Sequence, residues 1–221
     1  MQDIFSIPKR WHDPVSSLTR ASILILTVLA VEYFAFVLKE IYFPFPPIYL
    51  LGFLRAADIL ILLTWGPWIF KGSGVSKGIK ESMIVTLFFT VAGLLFLMCW
   101  KNIFGASMLR LNDMIFHQRV VELIAFYITS CLLSPVVEEF IFRGILYRKV
   151  RENWNTWICT GVVSTIFALT HLCFNGQALM PFLGSLIFCL GYEKTKFILA
   201  PILLHVSGNL IIFLSPFIAF I

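Results

Sequence analysis

Two glutamates stand side by side in Val137-Glu138-Glu139-Phe140-Ile141-Phe142-Arg143, and an arginine follows four residues after the second, all within a long apolar run. Two later apolar runs carry one histidine each: His171 closes Phe167-Ala168-Leu169-Thr170-His171, and His205 opens His205-Val206-Ser207-Gly208-Asn209. Carboxylates and imidazoles are the side chains that move protons near neutral pH. Brought together, they could activate a water, ligate a metal or pass an ion. Kept apart, each could do no more than pack its own helix.

Spacing separates the roles. Glu139 and Arg143 stand at i and i+4 with the acid nearer the N-terminus, the favourable order for an ion pair on one helix face. Glu138 is turned about 100° away from that pair. Glu139 is thus neutralised locally and Glu138 is left free. A free carboxyl side chain in such a setting is a candidate general acid or base. A purely structural ion pair would account for Glu139 and Arg143 but not for a second, unpaired acid. Pro135, one turn earlier, removes a backbone hydrogen bond and is expected to bend the helix. Phe167 and His171 share one helix face, as do His205 and Asn209. A lone membrane histidine often serves only as an interhelical hydrogen bond, so the inference rests on the combination.

The elements that must position these groups are membrane helices. The chain of 221 residues is 59% hydrophobic and 13% charged, with 23 phenylalanines and a mean hydropathy of +0.91, outside the range of soluble domains. A helix needs about 20 apolar residues to cross the hydrocarbon core. Windows meeting or approaching that length lie at 20–40, 48–70, 80–100, 120–147, 156–174, 178–193 and 196–218. The expectation is an all-α polytopic transmembrane bundle of about seven spans (six to eight) forming one integral membrane domain over 1–221. Glu138, His171 and His205 then fall about 14–22 Å from the cytoplasmic ends of their helices, at compatible depths.

With the N-terminus cytoplasmic, the inner segments carry Lys9, Arg10, Arg20, Lys71, Lys77, Lys80, Arg148, Lys149, Arg151, Lys194 and Lys196. The outer segments carry only Lys39, Lys101, Arg110 and Arg119, so that orientation follows from the positive-inside rule. The net charge of +5 is scattered as topology signals, with no basic stripe for nucleic acid. The five cysteines show no Cys-x-x-Cys spacing and read as small buried hydrophobes. The apolar stretch after Arg20 is too long for a signal peptide core and reads as a retained span. Arg55 and Asp58 at i and i+3 neutralise each other, while Glu32 either pairs with Arg55 or reaches the interface. The six tryptophans fall near span ends as an aromatic belt, and His12 and His117 read as solvated.

Glu138-Glu139-x-x-x-Arg143, Phe167-x-x-x-His171 and His205-x-x-x-Asn209, in that order on three apolar helices, resemble the three motifs of the CPBP family. These are intramembrane glutamic proteases that include the CAAX prenyl endopeptidases and bacteriocin-processing enzymes, the Abi-like proteins. Pro135-Val136-Val137 and Phe142-Arg143-Gly144 also fit, and the resemblance covers a protease core at about 120–214. It implies a metal-independent peptidase in which Glu138 and His171 activate a water. His205 and Asn209 would stabilise the oxyanion, Glu139 and Arg143 would support the site, and no cofactor would be needed. The implied partners are the lipid bilayer and a protein or peptide with a membrane-proximal cleavage site. A compact multi-pass chain of this kind is expected in a prokaryotic inner membrane. Two other readings remain at this stage. Two histidines and two glutamates could ligate zinc, although no His-Glu-x-x-His is present. A scaffold, immunity factor or transporter could use the polar cluster for packing or ion passage.

Overall fold

Val120–Arg151 forms a helix of 32 residues, longer at about 1.5 Å per residue than the roughly 30 Å hydrocarbon core of a bilayer. Among the described residues, it and Lys77–Phe96 are the two helices long and apolar enough to cross a membrane by length and composition, and Thr156–Leu172 and Leu199–Ser215 are shorter apolar helices. The computed structural model describes residues 47–65, 75–104, 119–175 and 178–218, together with helical positions 26, 27, 30, 33 and 37. All the elements it describes are helical: α1 (Pro47–Trp65), α2 (Val75–Phe104), α3 (Val120–Arg151), α4 (Thr156–Asn175), α5 (Leu179–Thr195) and α6 (Leu199–Ile218). The fold is all-α, as expected. These helices occupy the second to seventh predicted windows, and most of the first window, with Glu32, lies outside the described residues.

Helix α3 is not a uniform α-helix. It is π-helical over Ile128–Leu133 and again over Phe140–Tyr147, on either side of an α-helical turn at Ser134–Glu139. The first widened turn has a cause in the sequence. Ser134 donates its backbone N–H to the Thr129 carbonyl five residues back, and the next donor in that register would be Pro135, which has no N–H. The Ser130 carbonyl is thereby left for a partner outside the helix.

Packing places α6 against α2 and α5, α4 against α5, and α1 against the first half of α3. One core cluster joins Leu62 of α1, Val137, Phe140 and Tyr147 of α3, Cys159 and Val163 of α4, Cys189 and Tyr192 of α5, and Ile198 and Ile202. A smaller cluster joins Val85 of α2, Phe188 of α5 and Leu204 of α6. At one end of the bundle, Glu193 accepts hydrogen bonds from Arg151 Nε at 3.2 Å, Thr156 Oγ1 at 3.1 Å and Tyr147 Oη at 3.4 Å. Lys196 Nζ lies 2.6 Å from the same carboxylate. One acid thus ties together the ends of α3, α4 and α5. Lys196 itself closes α5 in the left-handed region at φ 53°, where the chain reverses into α6.

The outer face of α2 exposes Met83, Ile84, Leu87, Phe88, Leu95 and Phe96, a surface suited to lipid tails and to little else. Cys131, Cys159 and Cys189 are fully buried, but Cys99 sits on an exposed face of α2, which corrects the expectation that all five cysteines are buried. The residue is in an apolar helix, yet that helix turns much of its surface outward. Trp154 and Trp157 are exposed at the start of α4, whereas Trp11, Trp68, His12 and His117 lie outside the described residues. Arg55 Nη1 and Asp58 Oδ2 are 3.0 Å apart, with the aspartate fully buried.

Gly52 is where α1 comes closest to the first π-turn: a Cβ added there would lie 2.8 Å from Thr129 Oγ1. Overpacking of this kind costs about 1–3 kcal/mol. Gly52→Val should lower unfolding stability by that amount in reconstituted protein. Gly161→Ala, where an added Cβ meets nothing within 4 Å among the described residues, should leave it unchanged or raised.

Candidate active site

Arg143 and Glu139 are each 0% exposed, and Arg143 Nη1 donates to Glu139 Oε1 at 2.8 Å. Such a pair is costly in an apolar interior unless further hydrogen bonds offset its desolvation. Two helices supply some of them, while Glu139 Oε2 and Arg143 Nε stay buried without a hydrogen-bond partner among the described residues. Arg143 Nη2 donates to the Ser185 carbonyl at 3.1 Å and to the Ser185 hydroxyl, both on α5. From α6, His205 Nδ1 meets Glu139 Oε1 at 2.8 Å. Because Glu139 can only accept as a carboxylate, His205 Nδ1 carries the proton in that contact.

Aromatic rings enclose the pair. The guanidinium carbon of Arg143 lies 5.1 Å from the centre of the Phe167 ring and 5.4 Å from that of Phe188, within range of cation–π attraction. Phe188 also stacks on His205, with centroids 4.6 Å apart and planes at 21°. Phe167 lies 4.4 Å from the His171 ring and edge-on to His205 at 5.8 Å. Both imidazoles are therefore fixed by rings that also hold the arginine.

Glu138 faces a different way. Its side chain is 23% exposed, and its Oε2 atom is buried without a hydrogen-bond partner. That oxygen stands 3.9 Å from His171 Nε2 and 3.9 Å from His205 Nε2. These distances are too long for direct hydrogen bonds and suit a bridging water. His171 Nδ1 is 2.9 Å from the Phe167 carbonyl, an acceptor that calls for a proton on Nδ1 and so turns the Nε2 lone pair of the neutral ring toward Glu138. Asn209 Nδ2 donates to the Ser130 carbonyl at 2.9 Å, the same carbonyl that Pro135 leaves without its π-register donor.

Residues 120–211 match the family model described as Type II CAAX prenyl endopeptidase Rce1-like. This segment, less than half of the chain, resembles that family. It starts with α3, ends within α6 and contains Glu138, Glu139, Arg143, His171, His205 and Asn209. Among curated proteins, the chain is 30% identical over 118 residues to the membrane-embedded CAAX protease MroQ of Staphylococcus aureus (strain USA300), covering 49% of this chain and 46% of that one. It is 32% identical over 82 residues to YdiL of Bacillus subtilis (strain 168), covering 37% of this chain and 33% of that protein. An uncharacterised 24.3 kDa protein of Escherichia coli is 27% identical over 94 residues, with 41% and 43% covered. The chain thus spans between a third and a half of the length of these relatives. No solved structure matches it. Composition, helices and relatives together mark a membrane protein.

Helices α3, α4 and α6 bring five of the six singled-out residues into one assembly, in which Glu139, Arg143 and His205 form the buried part and Glu138 and His171 the more open part, while Asn209 is tied to the Ser130 carbonyl. Sequence reasoning missed Ser185 and Phe188 of α5. Their signal was available but weak: Ser185, Phe188, Cys189 and Tyr192 are buried at spacings that mark one helix face, but neither stands beside a charged residue in the sequence. Removing the guanidinium leaves a buried carboxylate without its cation, which costs about 3–5 kcal/mol. Arg143→Ala should destabilise the bundle by that amount in chemical unfolding, and Ser185→Ala by only about 1–2 kcal/mol, through loss of a single hydrogen bond to a charged group.

Proposed function

We propose that this chain is an intramembrane endopeptidase of the glutamic type, cleaving a peptide bond in a membrane-associated or tail-anchored protein. The observation that carries the reading is Glu138 Oε2, buried and unpaired, 3.9 Å from the Nε2 atoms of His171 and of His205. A water between Glu138 and His171 can donate one hydrogen to each, which leaves its oxygen lone pairs free to attack a carbonyl carbon. As the carbon–oxygen bond forms, Glu138 and His171 take up the proton.

The carbonyl oxygen becomes an oxyanion, stabilised by His205 Nε2–H and by the second N–H of Asn209 Nδ2. Donors in that role contribute about 3–4 kcal/mol in comparable sites. In this role His205 would donate from Nε2 as well as from Nδ1. Collapse of the intermediate breaks the carbon–nitrogen bond, and the stored proton passes to the leaving amine, giving an acid and an amine. No covalent intermediate and no cofactor take part.

The Rce1-like segment and the name of MroQ support peptidase chemistry at this position in the chain. In this reading the protein crosses a prokaryotic inner membrane about seven times with its N-terminus in the cytoplasm, and the protease core lies at about 120–214.

Cells producing either the wild-type chain or Glu138→Gln should differ in their membrane proteomes. Precursors cleaved by the wild type should persist uncleaved in the variant, and its unfolding midpoint should stay unchanged. On a cleaved peptide, Glu138→Gln or His171→Ala should cost about 100-fold or more in rate. Indistinguishable peptide profiles from a stably inserted Glu138→Gln protein would rule out proteolysis. Inactivation by a strong chelator, with zinc restoring activity, would replace the metal-free mechanism.

A further inference from the structure

One stripe of α6 is closed at both ends and open in its middle. On a helix with 3.6 residues per turn, Pro201, Leu204, His205, Ile212 and Ser215 all project within about 60° of Gly208. Pro201, Leu204, His205 and Ser215 are buried, at under 2%, 4%, 5% and 3% exposure, yet Ile212 is 45% exposed and Gly208 only partly buried. Among the described residues, a Cβ built on Gly208 would meet no heavy atom within 4 Å. Gly161 also has empty surroundings, but its neighbours Trp157 and Ile158 are exposed, as on an outer surface. Gly208 instead lies in line with the buried face. Gly208 and its empty surroundings thus lie on the stripe of α6 that carries His205, on the same element as Asn209.

We infer that the strip from Gly208 to Ile212 receives a bulky apolar side chain of the substrate, one or two residues from the scissile bond. This inference rests on the peptidase reading given above. Gly208 lies three residues beyond His205, about 4.5 Å along the helix axis, and an extended peptide advances about 3.3 Å per residue. A peptide whose carbonyl is held at His205 Nε2 thus brings its next side chain or the one after to Gly208. The absent side chain there provides the room, and Ile212 provides an apolar wall. The partial exposure of Glu138 and His171, 23% and 25%, allows the same peptide to reach the water they hold.

The test is a volume series, Gly208→Ala, Gly208→Val and Gly208→Leu, made in the full chain in membrane vesicles. It is assayed on precursor peptides that the wild type cleaves and Glu138→Gln does not. Alanine should leave the unfolding midpoint unchanged or raised, because it fills empty space and favours the helix. Cleavage should fall with added volume, by about tenfold or more at leucine, and should recover on a peptide whose bulky residue next to the scissile bond is replaced by alanine. Equal cleavage across the series would overturn the inference while leaving the peptidase reading intact, and so would unfolding by Gly208→Ala. The absence of any peptide that distinguishes wild type from Glu138→Gln would remove both.

Discussion

The buried pair of Glu139 and Arg143 is the interaction on which the rest of this bundle depends. Two charges with no exposure are costly in an apolar interior, and they are held there by groups drawn from three helices: the pair itself from α3, both oxygens of Ser185 from α5, and His205 from α6. The rings of Phe167 and Phe188 close the remaining faces. The contacts of the pair thus tie α3, α4, α5 and α6 together, with Glu139 Oε2 and Arg143 Nε left without hydrogen-bond partners among the described residues. In a membrane, where apolar surface alone does not favour one helix partner over another, polar contacts of this kind carry much of the specificity.

The same arrangement fixes the groups of the candidate site. His205 is held through Nδ1 by Glu139 and along its ring by Phe188, so that Nε2 is aimed at Glu138. His171 is held through Nδ1 by a carbonyl of its own helix and along its ring by Phe167. Neither imidazole needs to reorient for Nε2 to address a water. Two adjacent glutamates therefore do unlike work: Glu139 is locked into the scaffold, and Glu138 is presented to a partly open space.

Helix α3 owes its shape to Pro135 and to two widened turns. Loss of one backbone donor leaves the Ser130 carbonyl for Asn209, so that a local defect in α3 becomes a tie to α6. π-Turns of this kind are found disproportionately at functional sites. On the opposite side, Gly52 lets α1 approach the first widened turn closely. Helices α1 and α2 lie outside the Rce1-like segment, and they contribute Leu62 and Val85 to the two core clusters.

The membrane character, the all-helical class and the charged and imidazole candidates were legible in the sequence, because each depends on local quantities: apolar run length, the i, i+4 period and the high cost of charge in an apolar run. Glu139 and Arg143 could be paired on paper because both lie on one helix. Ser185 and Phe188 could not be assigned, since a serine and a phenylalanine in an apolar window look like any other packing residues until the helix is placed against Arg143. The bond from Asn209 to Ser130 spans 79 residues, and no sequence period encodes such a contact. Sequence alone thus determined which groups could do chemistry and which of them share a helix. Only the tertiary structure decided that Glu138 stands between two imidazoles, that His205 leans on Glu139 and that α6 opens at Gly208, because those relations are set by how separate helices pack around one buried ion pair.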